Sequence, residues 1–198
     1  MRTTPKLVAP AALVAALLAL SACTVPTPKP TAAPPTSTGP VTPSSSPAAP
    51  AGDTLGPLGY GALKLGATKA EAKASGLAEG IIGTEGQCGG AADGHLLGAP
   101  EDPDGEYYRG ALIFSATTGK LVYIAALDNM ATPEGIKAGS SLAELKAAFP
   151  KLTKDPDSDG SGFYADVPTN PKAYYDFAVD EGKVSSLTLI SADQDCFD

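Results

Sequence analysis

The chain has no tryptophan, one histidine and three cysteines in 198 residues, and each shortage closes off a class of chemistry. His95 is the sole imidazole, set in Ala92-Asp93-Gly94-His95-Leu96, so every histidine-dependent mechanism has to pass through one glycine-rich run. A zinc site there would have to borrow carboxylates, a poor ligand set around a single imidazole. No Gly-x-Ser-x-Gly run occurs and no serine stands three residues before a lysine. That removes the nucleophile elbow of α/β hydrolases and the Ser-x-x-Lys arrangement of penicillin-recognising enzymes. Five phenylalanines and seven tyrosines supply a modest core that a covalent cross-link would help. Positive charge is scarce as well: 14 basic residues face 22 acidic ones for a net −8, and without Arg2 and Lys6 the remainder carries −10. Such a surface repels nucleic-acid phosphates and anionic head groups, and it attracts metal ions or a basic protein partner.

One apolar run stands out, Leu7 to Leu20, interrupted by Pro10 and preceded by Arg2 and Lys6. At about 1.5 Å per residue it spans roughly 21 Å, short of the ~30 Å hydrocarbon core, so residues 1–22 read as a cleaved leader. The run closes on Leu20-Ser21-Ala22-Cys23, which resembles the lipobox of bacterial lipoproteins. The resemblance implies that Cys23 becomes the N-terminus, its thiol alkylated by a diacylglyceryl group. Acyl chains such as palmitate would then anchor the protein to the extracytoplasmic face of the cell membrane, since two chains suffice for stable attachment. The competing reading is an ordinary secretory signal cut nearby, with Cys23 left a free thiol.

Residues 23–56 follow as anchor and linker. From Thr24 to Gly56, nine of 33 residues are proline and most others are Thr, Ser or Ala, a composition that packs no core. In polyproline II form, at ~3.1 Å per residue, it would reach about 100 Å. It reads as a spacer.

The rest, residues 57–198, is one domain by length, and it reads as an imperfect duplication. The run from Leu63 to Ala74 aligns 73 positions later with Ile136 to Ala147, with Lys, Gly, Ala and Glu in register. Each copy places Thr68 or Ser141 three residues before Glu71 or Glu144, a capping box that opens a helix. Gly76 and Pro150 mark the helix ends. Leu142, Leu145 and Phe149 give the second helix an apolar face, while the first offers mainly alanines. Later, at an offset of 63, Phe114 matches Phe177 and Gly119-Lys120 matches Gly182-Lys183. Turns there, flanked by β-prone residues, predict a hairpin in each copy. The fold class is therefore α+β: two helix-plus-antiparallel-hairpin repeats, residues 57–131 and 132–198. Gly89 to Glu106 reads as a surface loop that holds the extra residues of the first copy.

The Gly-x-Thr/Ser helix openings followed by sheet resemble, distantly, β-lactamase inhibitor protein and the small lipoproteins of outer-membrane assembly. Thr132-Pro133-Glu134-Gly135-Ile136 resembles a run in lipoproteins of high-GC Gram-positive bacteria. The resemblance implies fold more than function.

Cys88 and Cys196 are the cysteines left in the domain, and outside the cytoplasm they are expected to pair as a disulfide. Asp155, Asp157, Asp159 and Asp166 have the spacing of a calcium loop, with Gly160 at its turn. Against that reading, Pro150 ends the incoming helix early and Asp stands where the bidentate Glu belongs; a solvated turn is the plainer account. Abundant acids leave a glycosidase-like carboxylate pair open, but no spacing singles one out. No cofactor and no catalytic residue is indicated. The expected function is a non-catalytic binding or structural module of the cell envelope. A carboxylate-dependent envelope hydrolase and a calcium-dependent or inhibitor-like partner of a secreted enzyme are the alternatives.

If Cys23 carries the lipid, intact mass of the native protein will show an acylated N-terminal cysteine, and Cys23→Ala will leave the protein unacylated and released from membranes. An unmodified native N-terminus would remove the anchor.

Overall fold

Hydroxyl and carboxylate, spaced three apart, start both helices of the computed structural model, which describes residues 53–83, 88, 92–100 and 109–197. In α1 (Lys69–Ala74) the Glu71 amide donates to Thr68 Oγ1 at 3.3 Å and the Thr68 amide to Glu71 Oε2 at 2.8 Å. In α2 (Leu142–Ala148) Ser141 and Glu144 exchange the same bonds at 3.2 and 2.7 Å. These bonds favour the ionised carboxylate and hold Glu71 and Glu144 below the usual range. Past α1 the chain turns through Gly76 at φ +69°, a backbone region that glycine enters without strain. No helix among the described residues is long and apolar enough to cross a membrane.

Short strands β1 (Leu55–Gly56), β2 (Gly59–Tyr60) and β3 (Leu63–Lys64) form a three-stranded antiparallel sheet. Leu55 is fully buried and its amide bonds Ala131 O at 2.9 Å. The folded region thus reaches four residues, Asp53 to Gly56, into the expected spacer, because a leucine there has a core to enter and Asp53 O accepts the Ala131 amide at 2.8 Å. After α1 come β4 (Ala78–Glu79), β5 (Gly94–Leu96), β6 (Ala111–Phe114) and β7 (Leu121–Ala125). After α2 come β8 (Thr153–Lys154), β9 (Gly162–Asp166), β10 (Ala173–Asp180) and β11 (Lys183–Ser191). All eight belong to one sheet in the order β4-β5-β6-β7-β11-β10-β9-β8, with antiparallel neighbours throughout.

Mixed helix and antiparallel sheet is the class expected, yet four strands, and not one hairpin, follow each helix. The loop expected over Gly89 to Glu106 is also corrected in part, since Gly94–Leu96 is a strand inside the sheet. Leu96 is fully buried there, and a Cβ at Gly94 would come within 2.7 Å of Ile81 Cγ1, so glycine is what lets the backbones meet. Residues 89–91 and 101–106 of that loop lie outside the described residues.

Alternation sorts the strands' side chains. Leu112, Phe114, Ile124, Leu187, Leu189 and Tyr175 join one core with Leu145 of α2, Phe149 just past its end, Ala72 of α1, and Leu55 and Leu63 of the small sheet. Phe149 packs 5.9 Å from the Tyr175 ring and 5.6 Å from that of Phe177, and Tyr175 OH donates to Leu55 O at 2.8 Å. Thr132 and Ile136, both buried, close a tight turn through Thr132 N to Ile136 O at 2.8 Å. A bulge interrupts each inner ladder, where Val122 of β7 and Ser185 of β11 have no opposite residue.

Helix α1 is buried through Lys69 and Ala72, and the lysine occupies the position that aligns with Leu142. Its ammonium meets Asp93 Oδ1 at 3.1 Å, with side-chain exposures of 7% and 0%, bonds Ile82 O, and lies 5.3 Å from the Phe114 ring centroid. Asp93 Oδ2 accepts the Phe114 amide at 2.8 Å. A buried charge stripped of its partner is strongly destabilising. Asp93→Ala will therefore lower unfolding free energy by about 3–5 kcal/mol in urea titrations; a loss under about 1 kcal/mol would show the pair to be replaceable.

Candidate functional site

The face of the large sheet opposite the helices carries the candidate site. Residues that alternate with the core set, Tyr123 and Ala125 on β7, Ser186 and Thr188 on β11 and Ala178 on β10, line an open cleft of about 590 Å³. The β11 bulge adds Ser185, so three hydroxyls follow one strand along the cleft; a bulge re-aims side chains in this way. Arg109 and Asp128 stand at the wall, Nε to Oδ1 2.8 Å, each slightly over half exposed. Ala125, Ala126, Ala138 and Ala178 also line it, with Leu127, Leu187 and Pro100.

The C-terminal segment ties down one end of this face. Asp195 Oδ2 accepts from Ser115 Oγ at 3.0 Å and from the Thr117 amide at 3.1 Å, and these bonds hold its carboxyl below the usual range. Cys196 is bonded to Cys88, S–S 2.08 Å across 108 residues of sequence. The Phe197 ring packs 5.5 Å from that of Tyr123.

Toward β9 the same face becomes acidic and aromatic. Asp176 alternates with Tyr175 and Phe177 of the core and pairs in register with Thr188 and Tyr164. Burial, then the charge of Asp155, pushes its carboxyl up to about 6. Burial, then Asp176 and Asp155, pushes Tyr164 up to about 12, and Tyr174, edge-on to Tyr164 at 5.4 Å, moves up for similar reasons. Asp155 lies over Gly162, where a Cβ would come within 3.0 Å of its Oδ2.

The expected site residues fall in different places. Cys23 lies outside the described residues. Cys88 and Cys196 are brought together. The four aspartates with calcium-loop spacing are not: Asp155 Oδ1 accepts the Asp157 amide at 3.0 Å, Asp157 and Asp159 are exposed, and Asp166 is in β9 opposite Tyr174. Among the described residues the one group of three possible metal ligands is Cys88, Asp195 and Cys196, whose sulfurs are already spent on each other. His95 is half-buried in β5 opposite Glu79 and Ala111.

Sequence reasoning missed Arg109, Tyr123, Asp128, Thr188, Asp176 and the two serines. Only the alternation Tyr174-Tyr175-Asp176-Phe177 hinted that an aspartate would be carried on the outer face of a strand.

Asp176 supplies a pH test. Its folded value lies above the ordinary carboxyl value, so its contribution to stability is complete below about pH 4 and is lost as pH rises through about 6. Asp176→Asn should accordingly be more stable than the parent above about pH 6, and the two should converge below about pH 4. A difference constant with pH in chemical denaturation would show that Asp176 is not perturbed. Comparison with protein-family models, curated proteins and solved structures finds no match to this chain.

Proposed function

We propose that the chain is a membrane-tethered, extracytoplasmic and non-catalytic binding module that holds a small ligand on the open face of its sheet. The cleft carries this reading. Its volume of about 590 Å³ suits a small-molecule site, and strands β7, β10 and β11 carry Tyr123, Ala125, Ala178 and the hydroxyls, holding these side chains more rigidly than loops do. The lining residues include one carboxylate, Asp128, already engaged by Arg109, a set suited to fixing a ligand. Leu20-Ser21-Ala22-Cys23 supports the lipid anchor and the proline-rich segment supports presentation at a distance. The acidic surface favours a basic macromolecular partner and disfavours nucleic acid.

We also infer that the domain is two repeats related by a local dyad through this cleft. Gly66 N to Leu121 O and Leu121 N to Ala67 O are matched by Gly139 N to Val184 O and Val184 N to Ser140 O, all at 2.8 Å. The bulged Val122 and Ser185 are 63 apart in sequence, as are Ala125 and Thr188, which face each other across β7 and β11. Two equivalent residues paired with one another lie on the axis that exchanges the copies.

The raised Asp176 beside Asp155 favours a second reading, a carboxylate-dependent envelope hydrolase. Turnover of an envelope polymer, abolished in Asp176→Asn with the fold intact, would establish it. For the binding reading, amide NMR of the protein titrated with a fragment library will show shifts clustered at Tyr123, Ser185, Ser186 and Thr188. Ala178→Phe, which fills the cleft, will abolish them. Shifts scattered elsewhere, or unchanged by the filled cleft, would refute it.

A further inference from the structure

We propose that the ligand of this cleft is a neutral saccharide, an inference that rests on the binding reading above. Among the described residues the cleft is lined by one cation and one carboxylate, and these engage each other: Arg109 and Asp128 meet at 2.8 Å with both side chains slightly over half exposed. A free anion would need a cation not already engaged, and a free cation a carboxylate not already engaged. A neutral group that both donates and accepts gains from the pair as it stands, the guanidinium donating and the carboxylate accepting. Hydroxyls are such groups, and the exposed Ser185 and Ser186 offer matching hydroxyls on β11, with the buried Thr188 next along the strand.

The apolar part of the cleft fits the same ligand. Ala125, Ala138 and Ala178 leave the floor without projecting side chains, and Tyr123 presents an aromatic ring beside it. A pyranose has C–H faces that pack on such apolar surface while its rim of hydroxyls reaches polar side chains. A purely hydrocarbon ligand would cover the serine hydroxyls without offering them hydrogen bonds, which is unfavourable. The volume of about 590 Å³ leaves room for a short oligomer.

The test is amide NMR of the whole protein titrated with chitotriose and with maltotriose, at low and high salt. At least one will shift the amides of Tyr123, Ser185, Ser186 and Thr188 in a saturable way that salt does not weaken, because no net charge is neutralised. Asp128→Asn, an exposed change that leaves the core intact, will weaken that binding roughly tenfold. If both sugars fail while library fragments bearing a carboxylate or an amine bind the cleft, the saccharide assignment falls and the binding reading stands. If neither sugars nor fragments perturb the cleft, both fall. Sugar binding unchanged in Asp128→Asn would also overturn the assignment.

Discussion

Everything in the large sheet depends on a short antiparallel contact: Tyr123 with Ile190, Ile124 with Leu189 and Ala125 with Thr188. This contact joins β4 to β7 with β8 to β11, so it makes one core of what would otherwise be two small ones. Its register is demanding. A slip of β11 by one residue would carry Leu187 and Leu189 to the open face and Ser186 and Thr188 inward, against an unmoved Ile124. The bulges at Val122 and Ser185 lie next to this junction, where a bulge increases local twist, and Ser185 lines the cleft.

The two helices meet the same core with different chemistry. Leu145 and Phe149 seal the α2 side by apolar packing, and Phe149 touches both Tyr175 and Phe177. On the α1 side Lys69 takes the place of Leu142, and its stem and charge reach Asp93 and the Phe114 ring. A buried ion pair is a weaker stabiliser than well-packed leucine, but it is strict about position. Asp93 uses that strictness to join α1, the start of β5 and the end of β6 through its two oxygens.

The sheet's other face is part covered and part open, with Ile113, Thr188 and Ile190 buried and Ser185 and Ser186 exposed. The C-terminal residues, latched by Cys196 to Cys88 and by Asp195 to the loop after β6, pack against Tyr123. Beyond them the face holds hydroxyls, alanines, one ion pair and, farther out, Asp176 between two tyrosines in reach of Asp155. One strand, β10, therefore carries a carboxyl that resists ionisation two residues from an alanine lining the cleft.

By itself the sequence determined what depends on near neighbours. Thr68 with Glu71 and Ser141 with Glu144 specify helix starts because both partners lie within one turn. Glu181-Gly182 specifies a tight hairpin because both residues take positive φ, as a two-residue turn requires. The spacing of Leu142, Leu145 and Phe149 announced a buried face. Only the tertiary structure decided that β7 pairs with β11, that Gly94–Leu96 enters the sheet, and that Lys69 is buried. It alone gathered Arg109, Tyr123, Ser185 and Thr188 into one cleft. The physical reason is that a strand residue's direction follows from its register with a distant partner and from bulges in between, and neither is written in the residue's own neighbourhood.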